Sequence, residues 1–380
     1  MEFKLNEDQQ MIRDLARDYA QNHVAPRVEE IEQAEQFPAD LFSVMAEMGF
    51  IAMNFPEAYG GMELGYLPLT MAIEEISKVS GSTGTVLTVT LLPLEAINLY
   101  GTEAQKQKYL VPGLQGAWKG SFAFTEAGTG SDPKQLTTIA TKTGEGTYKL
   151  SGVKRFISNA AYEGPMVVFT KEAETEACTA FLIDKFCKGY SLSTPWEKVG
   201  FHGSHVYDVF LDEVEVTEAD ILGQHGQGFD ILIGATTYGK LAFSAVFTGT
   251  MGGACGLAVK YAKEKLHRGK PIAKFPTVQA KIAQIAANTE SARLMLYKAA
   301  EDADTLDDIR RVQCSTALLK GYVADLAVST NVMALNVLGS YGVTGEYQVE
   351  RHVRDSLIGP NIEGSADIQR LIAGSYLLRH

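Results

Sequence analysis

Apolar residues recur at helical spacing from the start of the chain: Ile12, Leu15, Ala16 and Tyr19 share one face. Asn6 followed by Gln9 is a capping-box signal for the start of that helix, and Pro26 interrupts or kinks it. A second helix is expected to take Pro38 as its first helical residue, turn Leu41, Phe42, Met45 and Met48 inward, and stop at Gly49. Helical patterns continue over residues 67–78 and 85–100, with a loop at Gly60-Gly61. Near Gly113 the period changes to short β-type runs. Residues 138–142 and 147–150 flank Gly144-Glu145-Gly146, a hairpin signal, and residues 166–169, 180–183 and 206–211 continue the series. Long helical patterns return after Gly228, over residues 242–267, 278–302 and 309–338, with a last helix from about Ala366. The pattern predicts an α+β chain in three parts: a helical N-terminal domain over residues 1–112, a middle β domain over 113–227, and a C-terminal helical bundle over 228–380.

Composition narrows the partners. A length of 380 residues exceeds what one core usually organises, and 46% hydrophobic with 21% charged residues excludes a disordered or collagen-like chain. The 34 Lys and Arg against 46 Asp and Glu give a formal charge of −12, which repels a phosphate backbone, so nucleic acid is not expected as a partner. Cys178, Cys187, Cys255 and Cys314 show no Cys-x-x-Cys spacing and suggest a reducing compartment rather than a zinc ribbon or disulfide framework. The first eight residues carry acids where a signal or transit peptide carries bases, and no apolar run is read as a membrane span, so a cytoplasmic protein is expected.

Generic motifs leave the reaction open. Gly128-Thr129-Gly130 is followed by Asp132-Pro133 instead of the third glycine and helix start of a dinucleotide fingerprint. His202 and His205 form a pair without further ligands, so no metal site is expected. Ser121, Ser131 and Ser204 lack a nucleophile-elbow context, and Met45, Met48 and Met53 lie at core spacing.

The segment Phe122-Ala123-Phe124-Thr125-Glu126-Ala127-Gly128-Thr129-Gly130-Ser131-Asp132 closely resembles the A-L-T-E-P-G-A-G-S-D string of the acyl-CoA dehydrogenase family. The resemblance continues, in order, through Leu5 to Gln9, Pro56-Glu57-Ala58-Tyr59-Gly60-Gly61, Gly101-Thr102-Glu103, the stretch from Gly152 to Asn159, the stretch from Gly223 to Phe229, Leu338-Gly339-Ser340-Tyr341-Gly342 and Arg354-Asp355. It ends at Asn361-Ile362-Glu363-Gly364-Ser365-Ala366-Asp367-Ile368-Gln369-Arg370, which is similar to the family's I-Y-E-G-T-x-x-I-Q-R. It implies the same three-part fold, a homotetramer or homodimer, FAD as cofactor, an acyl-CoA thioester as substrate and an electron-transferring flavoprotein as acceptor. By this resemblance Glu363 removes the α-proton while flavin accepts the β-hydride, and the Glu363 N–H helps bind the thioester carbonyl. A weakly acidic C–H needs such an oriented carboxylate, a stabilised oxyanion and exclusion of water.

The resemblance also implies contacts to FAD from Phe124, Thr125, Phe156 and Ser158 around the flavin ring, Gly130 and Ser131 at the pyrophosphate and the CoA arm, Arg268 and Gln279 toward a neighbouring subunit, and Gly339, Ser340, Ser365 and Asp367. Thr88, Thr90, Leu91 and Leu92 are expected to line the acyl pocket by position, with Ser131, Lys240, Ile362 and Gly364 also on the substrate. The chain departs from the family pattern at Pro271 and Ile272, where Phe and Gly are usual, at Lys240 for Arg, at Ile362 for Tyr, at Asn361 for Ile and at Asp367 for Gln or Glu. Lys cannot reproduce the planar fork of Arg. Alternatives are an enoyl-CoA reductase using the same site in reverse, an oxidase, and a non-catalytic acyl-CoA or protein-binding module.

Overall fold

The computed structural model describes residues 5–34 and 36–379; the first four residues, part of the charge reading above, lie outside them. Helix α1 (Glu7–Tyr19) starts at the expected box: Asn6 Oδ1 accepts the Gln9 N–H at 2.8 Å and Gln9 Oε1 accepts the Asn6 N–H at 3.0 Å. Pro26 bends the chain without stopping it. A π turn, Ala20–Val24, and a 3-10 turn, Ala25–Arg27, absorb its missing donor and lead into α2 (Val28–Gln33). In α3 (Ala39–Glu47) Pro38 is the residue before the helix, not the first in it, because its ψ of 124° is extended. Leu41, Phe42 and Met45 are buried, but Met48, expected inward, is only half-buried at the frayed end.

Helices α4 (Tyr66–Val79) and α5 (Gly81–Tyr100) form an antiparallel pair. Helix α5 begins earlier than its apolar spacing suggested, since the Ser80 hydroxyl accepts the Thr83 N–H at 3.1 Å and supplies the cap. Asp304, at the end of a bundle helix, accepts the N–H groups of Tyr66 and Leu67 at 2.6 and 3.1 Å and so starts α4 from across the molecule. Two short helices follow, α6 (Glu103–Gln105) and α7 (Val111–Leu114).

Eight strands make the middle sheet: β1 (Ser121–Ala123), β2 (Ile139–Gly144), β3 (Thr147–Ser158), β4 (Pro165–Glu172), β5 (Cys178–Asp184), β6 (Tyr190–Leu192), β7 (Val206–Thr217) and β8 (Ile221–Leu222). They run in the order β6-β7-β3-β2-β4-β5-β8, with β1 parallel to β4. The β2–β3 hairpin is the one expected from Gly144-Glu145-Gly146. Alternation along β4 and β5 divides their side chains between two cores. Val167, Phe169, Ala180 and Leu182 join the core shared with the helices, while Met166, Val168, Phe181 and Ile183 pack with Leu150, Ile157 and Val209 on the other face.

The rest is helical: α8 (Gly228–Glu264), the hairpin β9 (Leu266–His267) and β10 (Lys270–Pro271), α9 (Pro276–Thr305), α10 (Ile309–Leu338), α11 (Val349–Ser356) and α12 (Ala366–Leu377). One continuous core contains Phe55, Ile73 and Leu87 from the first part, Phe124 and Phe169 from the sheet, and Val246, Phe247, Leu296 and Leu319 from the bundle. The expectation that no apolar run reaches membrane-spanning length is corrected here. Helix α8 and the stretch Ile309–Val343 are both long and apolar enough, and 67% and 44% of their most apolar segments are buried within the fold. Packing within the fold explains the apolarity of α8, since a central bundle helix is apolar on most of its faces, whereas more than half of the α10 segment stays open.

Buried charge ties α4 to α9. Glu74 is 1% exposed and accepts Arg293 Nε at 2.7 Å and the Tyr297 hydroxyl at 2.9 Å. Burial drives its carboxyl up, but Lys78 and Arg293 more than offset this and hold it below its usual value. Arg293→Met removes the closer of its two cations, leaving Lys78 at 3.6 Å, and is expected to cost about 3 kcal/mol, read as a lower denaturation midpoint with an unchanged denaturant slope.

Candidate active site

Two consecutive left-handed residues join α11 to α12. Glu363 has φ +52° and Gly364 φ +75°. For the glutamate this conformation costs about 1–3 kcal/mol and persists only if its neighbours enforce it. They do so from three sides. The Glu363 carbonyl accepts Gln369 Nε2 at 3.1 Å, and Lys320 Nζ donates to the carbonyls of Gly359 and Gly364 at 2.9 and 3.3 Å. Ser365 accepts the Ile368 N–H at 3.3 Å and caps α12. At Gly364 the φ of +75° disfavours any side chain, and a Cβ there would lie 2.2 Å from Gln369 Nε2 and displace that amide.

This turn aims the Glu363 carboxyl at α8. Its Oε1 is buried without a hydrogen-bond partner, and a Cβ on Gly239 would come within 2.2 Å of it. Gly239 is therefore the opening in α8 into which the acid fits. Burial raises the Glu363 carboxyl to about 7, opposed by the charges of Lys240 and Lys320. Burial in turn lowers both lysines to about 8. The result is a half-buried acid whose Oε1 is closed off from water, titrating near pH 7 and able to exchange a proton.

Beside Gly239 runs a cleft lined by Tyr66, Leu69, Thr70, Thr88, Leu91, Leu92, Glu95, Tyr238, Leu241 and Ala242. Of the residues expected at an acyl pocket, Thr88, Leu91 and Leu92 line this cleft and Thr90 does not. It lies on the opposite face of α5, donates to the Val86 carbonyl at 2.8 Å and faces Asn159 at 3.5 Å. The cleft is narrow, about 10 Å³ or roughly the space of one water, so an acyl group entering it must part its walls. Ile362 packs half-buried against the shared core next to the acid.

Phe124, Thr125, Phe156 and Ser158 come together where β1 meets β3. The Thr125 carbonyl accepts the Arg155 N–H at 2.8 Å, the Ser158 carbonyl accepts the Ser121 hydroxyl at 2.8 Å, and Lys154 Nζ donates to the Phe124 carbonyl at 3.3 Å. Beneath them Lys154 and Glu126 form a fully buried pair at 2.7 Å. The Glu126 carboxylate also accepts the N–H and hydroxyl of both Thr137 and Thr138. Burial raises that carboxyl, but Lys154 and these donors outweigh it and hold it at about 2. Phe156 has φ +59° and leaves its ring 53% exposed, 5.2 Å from the Trp196 ring. The loop continues to Gly128 and Gly130, where a Cβ would meet nothing within 4 Å, and to exposed Ser131. A flat apolar wall edged by half-buried hydroxyls and an open glycine loop suits a planar ring with a polar rim and a phosphate tail. The residues present fit FAD.

Other expected contacts lie elsewhere. Arg268 is exposed on the hairpin between α8 and α9, Gln279 is exposed in the first turn of α9, and Gly339 and Ser340 are exposed just after α10. Lys265 lies 4.6 Å over the Tyr341 ring, which places both pairs at one end of the bundle. Asp367, expected at the flavin, is on an exposed part of α12 and accepts Arg370 Nη1 at 2.9 Å. The sequence reading missed Gly239, Lys320 and Glu95. The first two left faint signals, a glycine inside a helical pattern and a lysine within an apolar run.

Residues 6–117, 121–214 and 226–378 match the N-terminal, middle and C-terminal domains of acyl-CoA dehydrogenase, respectively. The chain is 33% identical over 380 residues to an acyl-CoA dehydrogenase of Bacillus subtilis, covering 98% of this chain and 99% of the relative. It is 33% identical over 378 residues to a 3-(aryl)acrylate reductase of Clostridium sporogenes, covering 98% and 99%. Among solved structures, butyryl-CoA dehydrogenase from Megasphaera elsdenii superposes with a TM-score of 0.95 at 32% identity over 100% of both chains. A chain from the structure described as the electron transferring flavoprotein of Acidaminococcus fermentans does so with a TM-score of 0.95 at 34% identity, again over 100% of both. The chain belongs to the acyl-CoA dehydrogenase family. It is a flavin-dependent oxidoreductase with FAD as cofactor.

Lys154→Met leaves Glu126 buried beside the flavin face without its cation. It is expected to lower the FAD retained per purified chain, measured by flavin absorbance, and to destabilise the protein by about 3 kcal/mol.

Proposed function

We propose that the protein oxidises a short acyl-CoA thioester to its 2-enoyl-CoA, with Glu363 as the catalytic base. The observation that carries this reading is the buried, unpaired Glu363 Oε1 seated against Gly239 at the side of an apolar cleft. Leu91, Leu92 and Leu241 hold the acyl chain beside the carboxylate, and the Glu363 N–H donates to the thioester carbonyl. Glu363 takes the α-proton, and the α C–H electron pair becomes the new Cα–Cβ double bond as the β C–H pair departs as hydride. Bound FAD supplies the acceptor for that hydride. The Phe124–Thr125 and Phe156–Ser158 wall positions the ring, with Lys154 and Glu126 fixing the wall from behind. Lys240 and Lys320 keep the base ionisable in a dry site.

Electrons then leave to an electron-transferring flavoprotein, a partner supported by the Acidaminococcus fermentans neighbour. A second copy of the chain completes the bundle end where Arg268, Gln279, Gly339 and Ser340 are exposed. The apolar Leu318, Tyr322 and Val332 left open on α10 support a homodimer or homotetramer. The reverse reaction, reduction of an enoyl thioester, is the second reading. A carboxyl poised near 7 returns a proton as readily as it takes one, and one relative is a 3-(aryl)acrylate reductase.

Glu363→Gln is expected to retain FAD and abolish anaerobic bleaching of the flavin by acyl-CoA; undiminished bleaching excludes Glu363 as the base. In the wild-type protein the ionised acid is the active form, so the rate of bleaching should rise with pH through about 7. Lys240→Met removes a charge that favours ionisation and should move this rise to higher pH, whereas Lys240→Arg should leave it nearly in place.

A further inference from the structure

The cleft that begins beside Glu363 ends on a second acid. Glu95 lies three residues beyond Leu92 on the same face of α5, about 4.5 Å along the axis, and is 3% exposed. Its Oε1 accepts Asn54 Nδ2 at 2.5 Å and the Tyr66 hydroxyl at 3.1 Å. Its Oε2 is buried without a partner, and so is the Oδ1 of Asn54. The Tyr66 ring is fixed by stacking on Tyr238 at 4.4 Å and 8°. Thr70 and Thr88 satisfy nothing here, since each donates to a carbonyl of its own helix at 2.9 Å. Burial raises the Glu95 carboxyl to about 7, and among the described residues no cation offsets it.

A buried carboxyl normally has each oxygen satisfied or a cation beside it. Glu95 has neither on Oε2, and Asn54, which could have helped, presents a second open acceptor. Two unsatisfied acceptors, on two residues that are hydrogen-bonded to each other, call for a group with two hydrogens to give. We propose that Glu95 and Asn54 form the specificity-determining end of the acyl cleft, and that they receive a nitrogen donor, a primary amide or an amine, carried by the acyl group a few bonds beyond the reacting carbons. This rests on the acyl-thioester reading above and names its substrate class. A hydrocarbon tail of the same length leaves both acceptors unsatisfied. A terminal carboxylate brings a second acid against Glu95. Hydrogen-bonding sites of this kind discriminate strongly against ligands that lack the donor.

The test uses FAD-loaded Glu363→Gln protein, so that binding is read without turnover. Isothermal titration calorimetry compares hexanoyl-CoA, glutaryl-CoA and the terminal-amide analogue of glutaryl-CoA. The amide is expected to bind at least about tenfold more tightly than the other two. Adding Glu95→Leu should abolish that preference and favour hexanoyl-CoA, while the isosteric Glu95→Gln should weaken the amide without favouring hexanoyl-CoA. Retained FAD and the melting temperature report folding in each variant. Tightest binding of glutaryl-CoA or hexanoyl-CoA, equal binding of all three, or a preference that survives Glu95→Leu overturns the inference. If no thioester reduces the flavin of the wild-type protein, the proposed oxidation fails, and the binding order still decides the role of Glu95.

Discussion

A carboxyl that is to remove a proton from carbon must be dry, unpaired and still able to ionise, and these demands conflict. Water or a close partner would stabilise the charge and make the acid a poor base, while burial alone would keep it protonated. Here the conflict is resolved by two lysines that act on the acid by charge while its Oε1 has no hydrogen-bond partner. The rest of the local architecture follows from this. Gly239 makes the space, a left-handed turn points the acid into it, and Lys320 holds the carbonyls on both sides of that turn.

Buried polar groups recur wherever two parts of the chain must keep a fixed relation. Glu74 joins α4 to Arg293 on α9, and Lys154 with Glu126 locks the flavin wall to the sheet. Asp355 on α11 accepts the Phe201 N–H of the middle part at 2.7 Å, with burial raising its carboxyl to about 7. Such pairs add little net stability compared with apolar packing, but they penalise any misplacement of their partners. In this fold the flavin wall and Glu363, the proposed base, come from different parts of the chain. Their relative position is what catalysis requires, so rigid polar joints between those parts serve function more than stability.

The departures from the family pattern take on a physical meaning in three dimensions. Lys240 acts on Glu363 as a point charge, a role that does not need the planar fork of an arginine. Ile362 packs its side chain into the shared core beside the acid. Pro271 lies in the short hairpin that carries Arg268, at the exposed end of the bundle, well outside the cleft.

Amphipathic spacing and cap signals were enough to order the helices and the hairpin, because both arise from contacts within a few residues. They failed at ends set by distant partners. Helix α4 starts on Asp304, and α8 runs back to Gly228 through residues whose burial depends on neighbours far along the chain. Glu363 was legible because its motif is continuous in sequence. Gly239, Lys320, Glu95 and Asn54 were not, since each gains its role only when α5, α8, α10 and the turn before α12 are brought together. The place of Thr90 off the cleft was hidden for the same reason: position along a helix does not say which face meets the cleft. The sequence by itself determined the elements, their order and the acid proposed here as the base. Only the tertiary structure decided which charges surround that acid and which buried acceptors close the cleft, because desolvation and pairing are properties of packed neighbours and not of any one segment.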